Sequence, residues 1–369
     1  MNTVVILPTY NERENIKTVL DSIFDVWVKI RGHSLTILVV DDKSPDGTSE
    51  VVKQYKKIHP NVILLTKEKE GLGSALLFGI AYALDVLHAE IIVQMDADLS
   101  HDPGSLPHFM SAIDRGADFA VGSRYIEGGS IPDNWGLHRK LFSIVGNGIV
   151  RFGLGYTNVH DWTGGYRAYT EKIAGYSRTQ LSKYQGYVFQ IAYLHKSIQR
   201  GAKITEVPIR FTDRKYGHSK IAPSQYIRDV LRYVIRQRVK QLVTGSFGKF
   251  AVVGSIGFII NTTILEVLVH TGFHPALGSG FGAELAIISN FLLNNSWTFQ
   301  SRKVHGFPAI VKFLQFNITS LGAVLIQSGT VWLGSISFGV SVYRWFYLLG
   351  VGIGLLWNYM MYSKVIWKK

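Results

Sequence analysis

The pattern of apolar and polar positions divides the chain into two parts. Up to about residue 223, short apolar runs alternate with amphipathic stretches; from residue 247 onward the chain is mostly apolar and carries few charges. In the first part, residues 3–7, 35–40 and 62–65 are brief runs of β-forming residues, each followed by a turn and the start of a helical pattern. The first run closes at Pro8-Thr9-Tyr10-Asn11-Glu12, where Asn11 or a neighbour can cap a helix carrying Ile16, Leu20, Ile23, Phe24 and Trp27. The second ends in the acidic turn Asp41-Asp42-Lys43-Ser44-Pro45-Asp46-Gly47 and opens a helix over about residues 48–58; after the third, Gly71-Leu72-Gly73-Ser74 starts another. A fourth run, Ile91-Ile92-Val93-Gln94-Met95, leads to two carboxylates one residue apart, Asp96 and Asp98. Its apolar character is that of a buried parallel strand. Further on, the pattern predicts a helix to about residue 115, a strand over 119–122 ending at Ser123-Arg124-Tyr125, a helix over 138–153, a turn at 161–167 feeding a strand, a helix over 185–200, and a strand over 203–207. The β-α-β-α-β alternation specifies an α/β, doubly wound, Rossmann-like sheet. Ligands of such sheets collect outside the carboxyl ends of the strands, where Asp96 and Asp98 fall.

Residues 224–246 change character. Ile227, Val230, Leu231, Val234 and Leu242 recur at helical spacing, while Arg228, Arg232, Arg236 and Lys240 form an i, i+4 row on another face. A basic amphipathic helix directly before an apolar region reads as an in-plane membrane helix, each cation near anionic lipid contributing about 1 kcal/mol. Four stretches follow, 247–270, 276–299, 308–334 and 345–367, each long enough for the roughly 20 residues of a spanning helix. Glu266, Glu284, Asn290, Asn294, Asn295, Lys312 and Gln315 within them are costly in hydrocarbon and are expected to face one another or an interface. Lys249, Arg302, Lys303, Lys364, Lys368 and Lys369 mark the cytoplasmic side, the alternate connections carrying only Arg344, so both termini are expected in the cytoplasm. The first residues lead directly into a strand with no long apolar h-region, and no secretory signal is expected.

Composition narrows the chemistry. The 369 residues include no cysteine, which excludes a disulfide framework, a zinc-thiolate site and a thiol nucleophile. The net charge of +13 alone would suit nucleic acid, but the apolar tail and a mean hydropathy of +0.14 direct it to an acidic membrane surface or a phosphorylated substrate. No nucleic-acid partner is expected. Side chains two apart on an extended segment point the same way, so Asp96 and Asp98 can face one ion. A hard cation held by one or two carboxylates, with its other positions left to phosphate oxygens, is how Mg²⁺ or Mn²⁺ commonly enters phosphate chemistry. An α/β domain so equipped and fixed to a lipid bilayer calls for a reaction joining a water-soluble phosphorylated donor to a lipid.

Five motifs in order carry a resemblance: Pro8-Thr9-Tyr10-Asn11-Glu12, Val39-Val40-Asp41-Asp42-Lys43-Ser44-Pro45-Asp46-Gly47-Thr48, Met95-Asp96-Ala97-Asp98-Leu99, Gly122-Ser123-Arg124-Tyr125 and Gly217-His218-Ser219-Lys220. Together they resemble the polyprenyl-phosphate hexosyltransferases, inverting GT-A enzymes that use nucleotide sugars, with the dolichol-phosphate mannose synthases the nearest group. The likeness covers about the first 240 residues. The tail, through Lys249-Phe250-Ala251-Val252-Val253-Gly254 and Asn295-Ser296-Trp297-Thr298-Phe299, resembles the four-helix GtrA-like membrane family. The resemblance implies a cytoplasmic GT-A domain over 1–223, an interface helix over 224–246 and a transmembrane domain over 247–369. It implies that Pro8, Tyr10, Glu12, Val40 and Asp42 hold the base and ribose, and that Asp96 and Asp98 bind the metal bridging the diphosphate, with the backbone at Ala97 alongside. Arg124, Arg214 and Lys220 would contact donor phosphate and the accepting lipid phosphate, with Arg139 a further anion contact. Related synthases often have glutamine where this chain has Ser100, so the third protein ligand is the Ser100 hydroxyl, a water or His101.

The reaction so implied transfers mannose from GDP-mannose to dolichyl or another polyprenyl phosphate by single displacement with inversion. A phosphate monoester with a second pKa of about 6 is already a nucleophile at neutral pH. Asp161 is therefore expected to order the turn at 162–167 or help hold cations rather than act as a base. Two alternatives share the sequence features: a UDP-glucose-dependent transferase with the same metal and phosphate residues, and a transport or scaffold protein that only binds nucleotide. A processive polysaccharide synthase fits less well, because Ser341-Val342-Tyr343-Arg344-Trp345 lacks the glutamine of the Gln-x-x-Arg-Trp motif.

Overall fold

The computed structural model describes residues 1–184, 186–213, 223–339 and 343–368, and the chain divides into two units, Met1–Arg236 and Gln237–Lys369. In the first, the apolar runs become strands β1 (Asn2–Thr9), β2 (Ser34–Asp41), β3 (Val62–Thr66), β4 (Ile91–Gln94), β5 (Phe119–Ser123), β6 (Arg167–Thr170) and β7 (Ile204–Pro208). They form one seven-stranded sheet in the order β3-β2-β1-β4-β6-β5-β7. All pairs are parallel except those of β6, which runs antiparallel between β4 and β5. The helices are α1 (Arg13–Trp27), α2 (Thr48–Ile58), α3 (Leu72–Asp85), α4 (Leu106–Asp114), α5 (Leu137–Leu154), α6 (Glu171–Leu181), α7 (Gly186–Gln199) and α8 (Pro223–Thr244).

Alternation along the strands builds two cores. Val5 and Leu7 of β1 face one side of the sheet with Val93, Ala120 and the α1 residues Ile16, Leu20 and Ile23; Val4 and Ile6 face the other with Ile92, Val121, the α3 residues Leu76 and Ile80, and Leu194 of α7. Val150 and Leu154 of α5 and Val230 and Val234 of α8 join the second core. The two helices meet at Gly153, where a Cβ would lie 2.4 Å from Val234 Cγ1. Outside this contact α5 leaves Leu141, Phe142, Val145 and Phe152 exposed. β4 stops at Gln94, short of the predicted strand end, so Asp96 and Asp98 sit on a turn beyond it rather than on extended chain.

The second unit holds α9 (Ser246–His270), α10 (Pro275–Leu293), α11 (Phe307–Phe338) and α12 (Tyr343–Met361). By length and composition, α9 and α11 are able to cross a membrane, with hydropathies of 2.0 and 1.6. α9 and α10 approach through glycines: a Cβ at Gly257 would lie 2.4 Å from Asn290 Oδ1, and one at Gly282 would lie 2.6 Å from the Asn261 carbonyl oxygen. α10 and α12 each continue into a π-helical turn, Asn294–Thr298 and Tyr362–Ile366. The residues that follow, Phe299 and Trp367, stack with centroids 4.7 Å apart. Trp367 Nε1 donates to Asn295 Oδ1 at 3.0 Å, which gives one of the costly amides its partner. Arg302 Nη1 donates to the carbonyls of Ser363 (3.2 Å) and Trp367 (2.8 Å), satisfying chain-terminal carbonyls that a helix leaves open.

Candidate active site

Strand register brings the predicted nucleotide residues together. Pro8 pairs with Val40, Thr9 with Asp41, and Ile6 with Gln94, so Tyr10, Asp42 and Asp96 all lie just past neighbouring carboxyl ends. Three non-glycine residues with positive φ mark these ends: Asn11 (60°), Lys43 (48°) and Leu99 (64°). Such strain persists only where the surroundings over-determine it. Here the loops are cross-tied. Asp46 Oδ2, from the turn after β2, accepts the Arg13 N–H at 3.0 Å and caps α1 in place of Asn11. Thr48 Oγ1 accepts the Glu12 N–H at 3.0 Å, and the Glu12 carboxylate accepts from Asn15 Nδ2 at 2.8 Å.

The two adjacent aspartates of this turn differ in role. Asp41 is fully buried and accepts from Thr9 Oγ1 (2.9 Å), the Ser44 N–H (2.9 Å) and Ser49 Oγ (2.7 Å), so it closes the turn. Asp42 is also buried, but its Oδ1 has no hydrogen-bond partner among the described residues. Lys67 Nζ approaches that oxygen to 3.8 Å without bonding it. Burial raises the Asp42 carboxyl above the ordinary carboxylate range against the pull of Lys67. An unbonded buried acceptor is costly, and here the Lys67 ammonium offsets part of that cost. Beside it the Lys69 ammonium lies 3.5 Å from the centroid of the Tyr10 ring. Lys67 and Lys69 were missed in the sequence, although Lys67-Glu68-Lys69-Glu70-Gly71 does place alternating charges after a strand.

Asp98 is buried, and its Oδ1 accepts both the Ser100 N–H (3.0 Å) and Ser100 Oγ–H (2.6 Å). Ser100 thus orients the carboxylate. His101 Nδ1 accepts the Asp96 N–H at 3.0 Å, and its Nε2 lies 3.9 Å from Asp96 Oδ2. A neutral imidazole accepting at Nδ1 carries its proton on Nε2, which makes His101 an orienter of Asp96 and unsuited to metal ligation in this arrangement. A Cβ at Gly165 would lie 3.6 Å from both Asp96 oxygens, so the glycine leaves room above the carboxylate. Among the described residues no cluster of three or more His, Cys, Asp or Glu is placed to hold a metal. Two carboxylates two residues apart on one turn nevertheless suit a hard divalent cation that takes its remaining ligands from phosphate and water.

Arg124 follows β5 and reaches back to the turn before β6. Its Nε and Nη2 donate to the two oxygens of Asp161 at 2.7 and 2.8 Å, and Nη2 also donates to Thr163 Oγ1 at 2.8 Å. Asp161 is fully buried. Burial alone would raise its carboxyl, but the Arg124 charge and hydrogen bonds from Arg124 and the Gly164 N–H hold it below the usual range. This carboxylate is spoken for, in keeping with the ordering role expected of it. Arg167, buried behind the turn, donates to the carbonyls of Gly164 (2.8 Å), Trp162 (3.1 Å) and Gln190 (2.6 Å), and burial lowers its pKa to about 10. Because β6 is reversed, this one turn places Gly165 over Asp96 and Asp161 on Arg124.

Arg139, at the start of α5, pairs with Asp213 at 3.1 Å and lies 3.9 Å over the Trp135 ring. Trp135 meets Phe211 edge-on, and Phe211 faces the Arg124 guanidinium, so aromatic rings connect the two arginines. Thr212 donates to the Leu99 carbonyl and its N–H to the Ser100 carbonyl, at 3.0 and 3.2 Å. The segment leading toward Arg214 is therefore fixed at the aspartate turn. Arg214 and Lys220 themselves lie outside the described residues.

An α/β sheet with carboxylates and an arginine at its carboxyl edge, in a chain that also carries apolar helices, is the layout of a membrane glycosyltransferase of GT-A type. Residues 4–184 match the model of glycosyl transferase family 2, and residues 249–367 that of the GtrA/DPMS transmembrane domain. The chain is 32% identical over 335 residues to the dolichol-phosphate mannosyltransferase of Pyrococcus furiosus, covering 90% of each. It is 38% identical over 231 residues to the polyprenol monophosphomannose synthase of Mycolicibacterium smegmatis, covering 62% of this chain and 84% of that one. Among solved structures it is similar to glucosyl-3-phosphoglycerate synthase from Mycobacterium tuberculosis, with a TM-score of 0.45, 19% identity, and 65% and 79% of the two chains covered. The chain belongs to the polyprenyl-phosphate mannosyltransferase branch of glycosyl transferase family 2.

Proposed function

We propose that the protein transfers mannose from GDP-mannose to dolichyl or another polyprenyl phosphate, with both termini and the catalytic unit on the cytoplasmic face of the cell membrane. The relatives' names support mannose and a polyprenyl phosphate acceptor. The observation that carries the mechanism is the engagement of Asp161, the carboxylate that pairs with Arg124. Its two oxygens are taken by the guanidinium and by backbone N–H groups. A phosphate monoester dianion needs no base, and in this reading it attacks directly, in a single displacement with inversion.

Asp42, with its unbonded oxygen, and Tyr10 receive the nucleoside, with Pro8, Val40 and Glu12 shaping the floor. Asp96 and Asp98, held by His101 and Ser100, are the residues that would hold Mg²⁺ or Mn²⁺; the ion would neutralise the departing diphosphate. Arg124 draws the acceptor phosphate toward the anomeric carbon, and Arg139, Arg214 and Lys220 add positive charge around the two anions. Four membrane crossings tether the chain to the bilayer, and the exposed apolar residues of α5 offer a surface for lipid.

Detergent-purified protein, polyprenyl phosphate and either labelled GDP-mannose or labelled UDP-glucose supply the test, read as label extractable into organic solvent. Label from GDP-mannose, abolished by EDTA and restored by Mg²⁺ or Mn²⁺, is expected. Label from UDP-glucose alone would keep the site and change the donor; label from neither would favour a carrier or scaffold.

A further inference from the structure

We infer that Glu206, in the middle of β7, is a positioning residue for the transfer reaction: it aims the Arg124 guanidinium by fixing the peptide that carries Asp161. The inference rests on the proposed role of Arg124 at the acceptor phosphate. Glu206 lies on β7, whereas Arg124 follows β5, and it is 45 residues from Asp161 in sequence. Its Oε1 accepts two consecutive backbone N–H groups, those of His160 (3.0 Å) and Asp161 (3.1 Å), and its Oε2 pairs with His160 Nδ1 at 2.7 Å. A carboxylate that takes two successive N–H groups sets the path of the backbone between them, and with it the direction of the Asp161 side chain. Asp161 in turn grips Arg124 at Nε, Nη2 and the backbone N–H, the last at 3.2 Å. A two-point grip fixes a guanidinium in plane and in rotation.

The placement is not that of an ordinary turn closure. The Glu206 side chain is 10% exposed and bonded to the residue whose own carboxylate is fully buried. Each acid is compensated by its own partners, Glu206 by two N–H groups and His160, and Asp161 by Arg124. The strand register supports the connection: Glu206 stands opposite Val121 on β5, three residues before Arg124, so both ends of the relay hang from one strand pair. The opposite end of the site, at Tyr10 and Asp42, has no part in this relay.

The test is a double-mutant cycle in the full chain, read separately for donor and for lipid phosphate. Glu206→Ala is expected to lower kcat/KM for the lipid phosphate about 10- to 100-fold, the scale at which small misplacements act, with the KM for GDP-mannose unchanged. Glu206→Gln keeps an oxygen for the two N–H groups and is expected to restore activity to within about threefold of wild type. Arg124→Lys keeps a charge but loses the fork; in that background Glu206→Ala is expected to cost less than about twofold further, because there is no aimed guanidinium left to lose. Full multiplication of the two effects, or an equal change in donor KM, would overturn the inference while leaving the role of Arg124 intact. Wild-type kinetics in Arg124→Lys and Arg124→Ala would overturn the Arg124 reading, and the inference with it. Should Glu206→Ala not fold, Glu206→Asp, whose shorter side chain cannot span both contacts, takes its place in the cycle with the same expectations.

Discussion

At the scale of single residues, the site consists of groups oriented by neighbours. Asp98 owes its direction to Ser100, which gives it two hydrogen bonds. Asp98→Ala is expected to reduce transfer by at least about 100-fold, and Ser100→Ala by about tenfold, the cost of one charge-assisted hydrogen bond. The Asp161–Arg124 pair makes a prediction in pH. The folded carboxyl pKa lies below its unfolded value of about 3.8, so the unfolded chain binds the proton more readily. The stability this pair confers is therefore present above about pH 4 and lost as pH falls through the folded value. Asp161→Asn is expected to lower stability at pH 7 by roughly 3–5 kcal/mol, the cost of leaving a buried cation unpaired, and to flatten the loss below pH 4; denaturant titration in detergent measures both. Asp96, Asp98 and Arg124 were legible in the sequence because each sits in a short local motif. The partner of Arg124 was not, since Asp161 is 37 residues away and joins it only when β6 enters the sheet.

At the scale of elements, the strands and most helices could be read from periodicity, because Val4 and Ile6 against Val5 and Leu7 already declare two buried faces. The direction of β6 could not. Four residues carry no sign of direction, and only pairing with β4 and β5 sets it. The α5 helix was foreseen, but not its exposed face, since apolar residues surround the helix and the inward set is told apart only by packing against α8. Phe142→Asp with Val145→Asp is expected to lower transfer to long-chain polyprenyl phosphate in liposomes several-fold, while GDP-mannose binding stays unchanged. Between α7 and α8, the buried His195 Nδ1 meets the Tyr233 hydroxyl at 2.9 Å. Burial, with help from Lys196, depresses the His195 pKa to about 4. The unfolded chain then binds the proton more tightly, so stability falls on acidification from about pH 6.5 toward pH 4, by at most roughly 3 kcal/mol. The slope over that window is expected to be smaller in His195→Gln.

At the scale of the whole molecule, the chain joins an α/β unit to a unit of apolar helices, and that division is already visible in the sequence through charge and hydropathy alone. The membrane unit depends on close approach: Gly257→Val is expected to lower its thermal stability in detergent by separating α9 from α10 at Asn290. In the proposed reaction the lipid phosphate itself attacks the sugar, and no protein group bonds to the anomeric carbon. The most direct measurement is the anomeric configuration of the purified lipid-linked product, read by NMR from the one-bond carbon–hydrogen coupling at the anomeric centre. Starting from the α-linked donor GDP-mannose, a single displacement predicts a β-mannosyl phosphate. An α-linked product would mean retention, by double displacement or by same-face transfer, and would contradict the account.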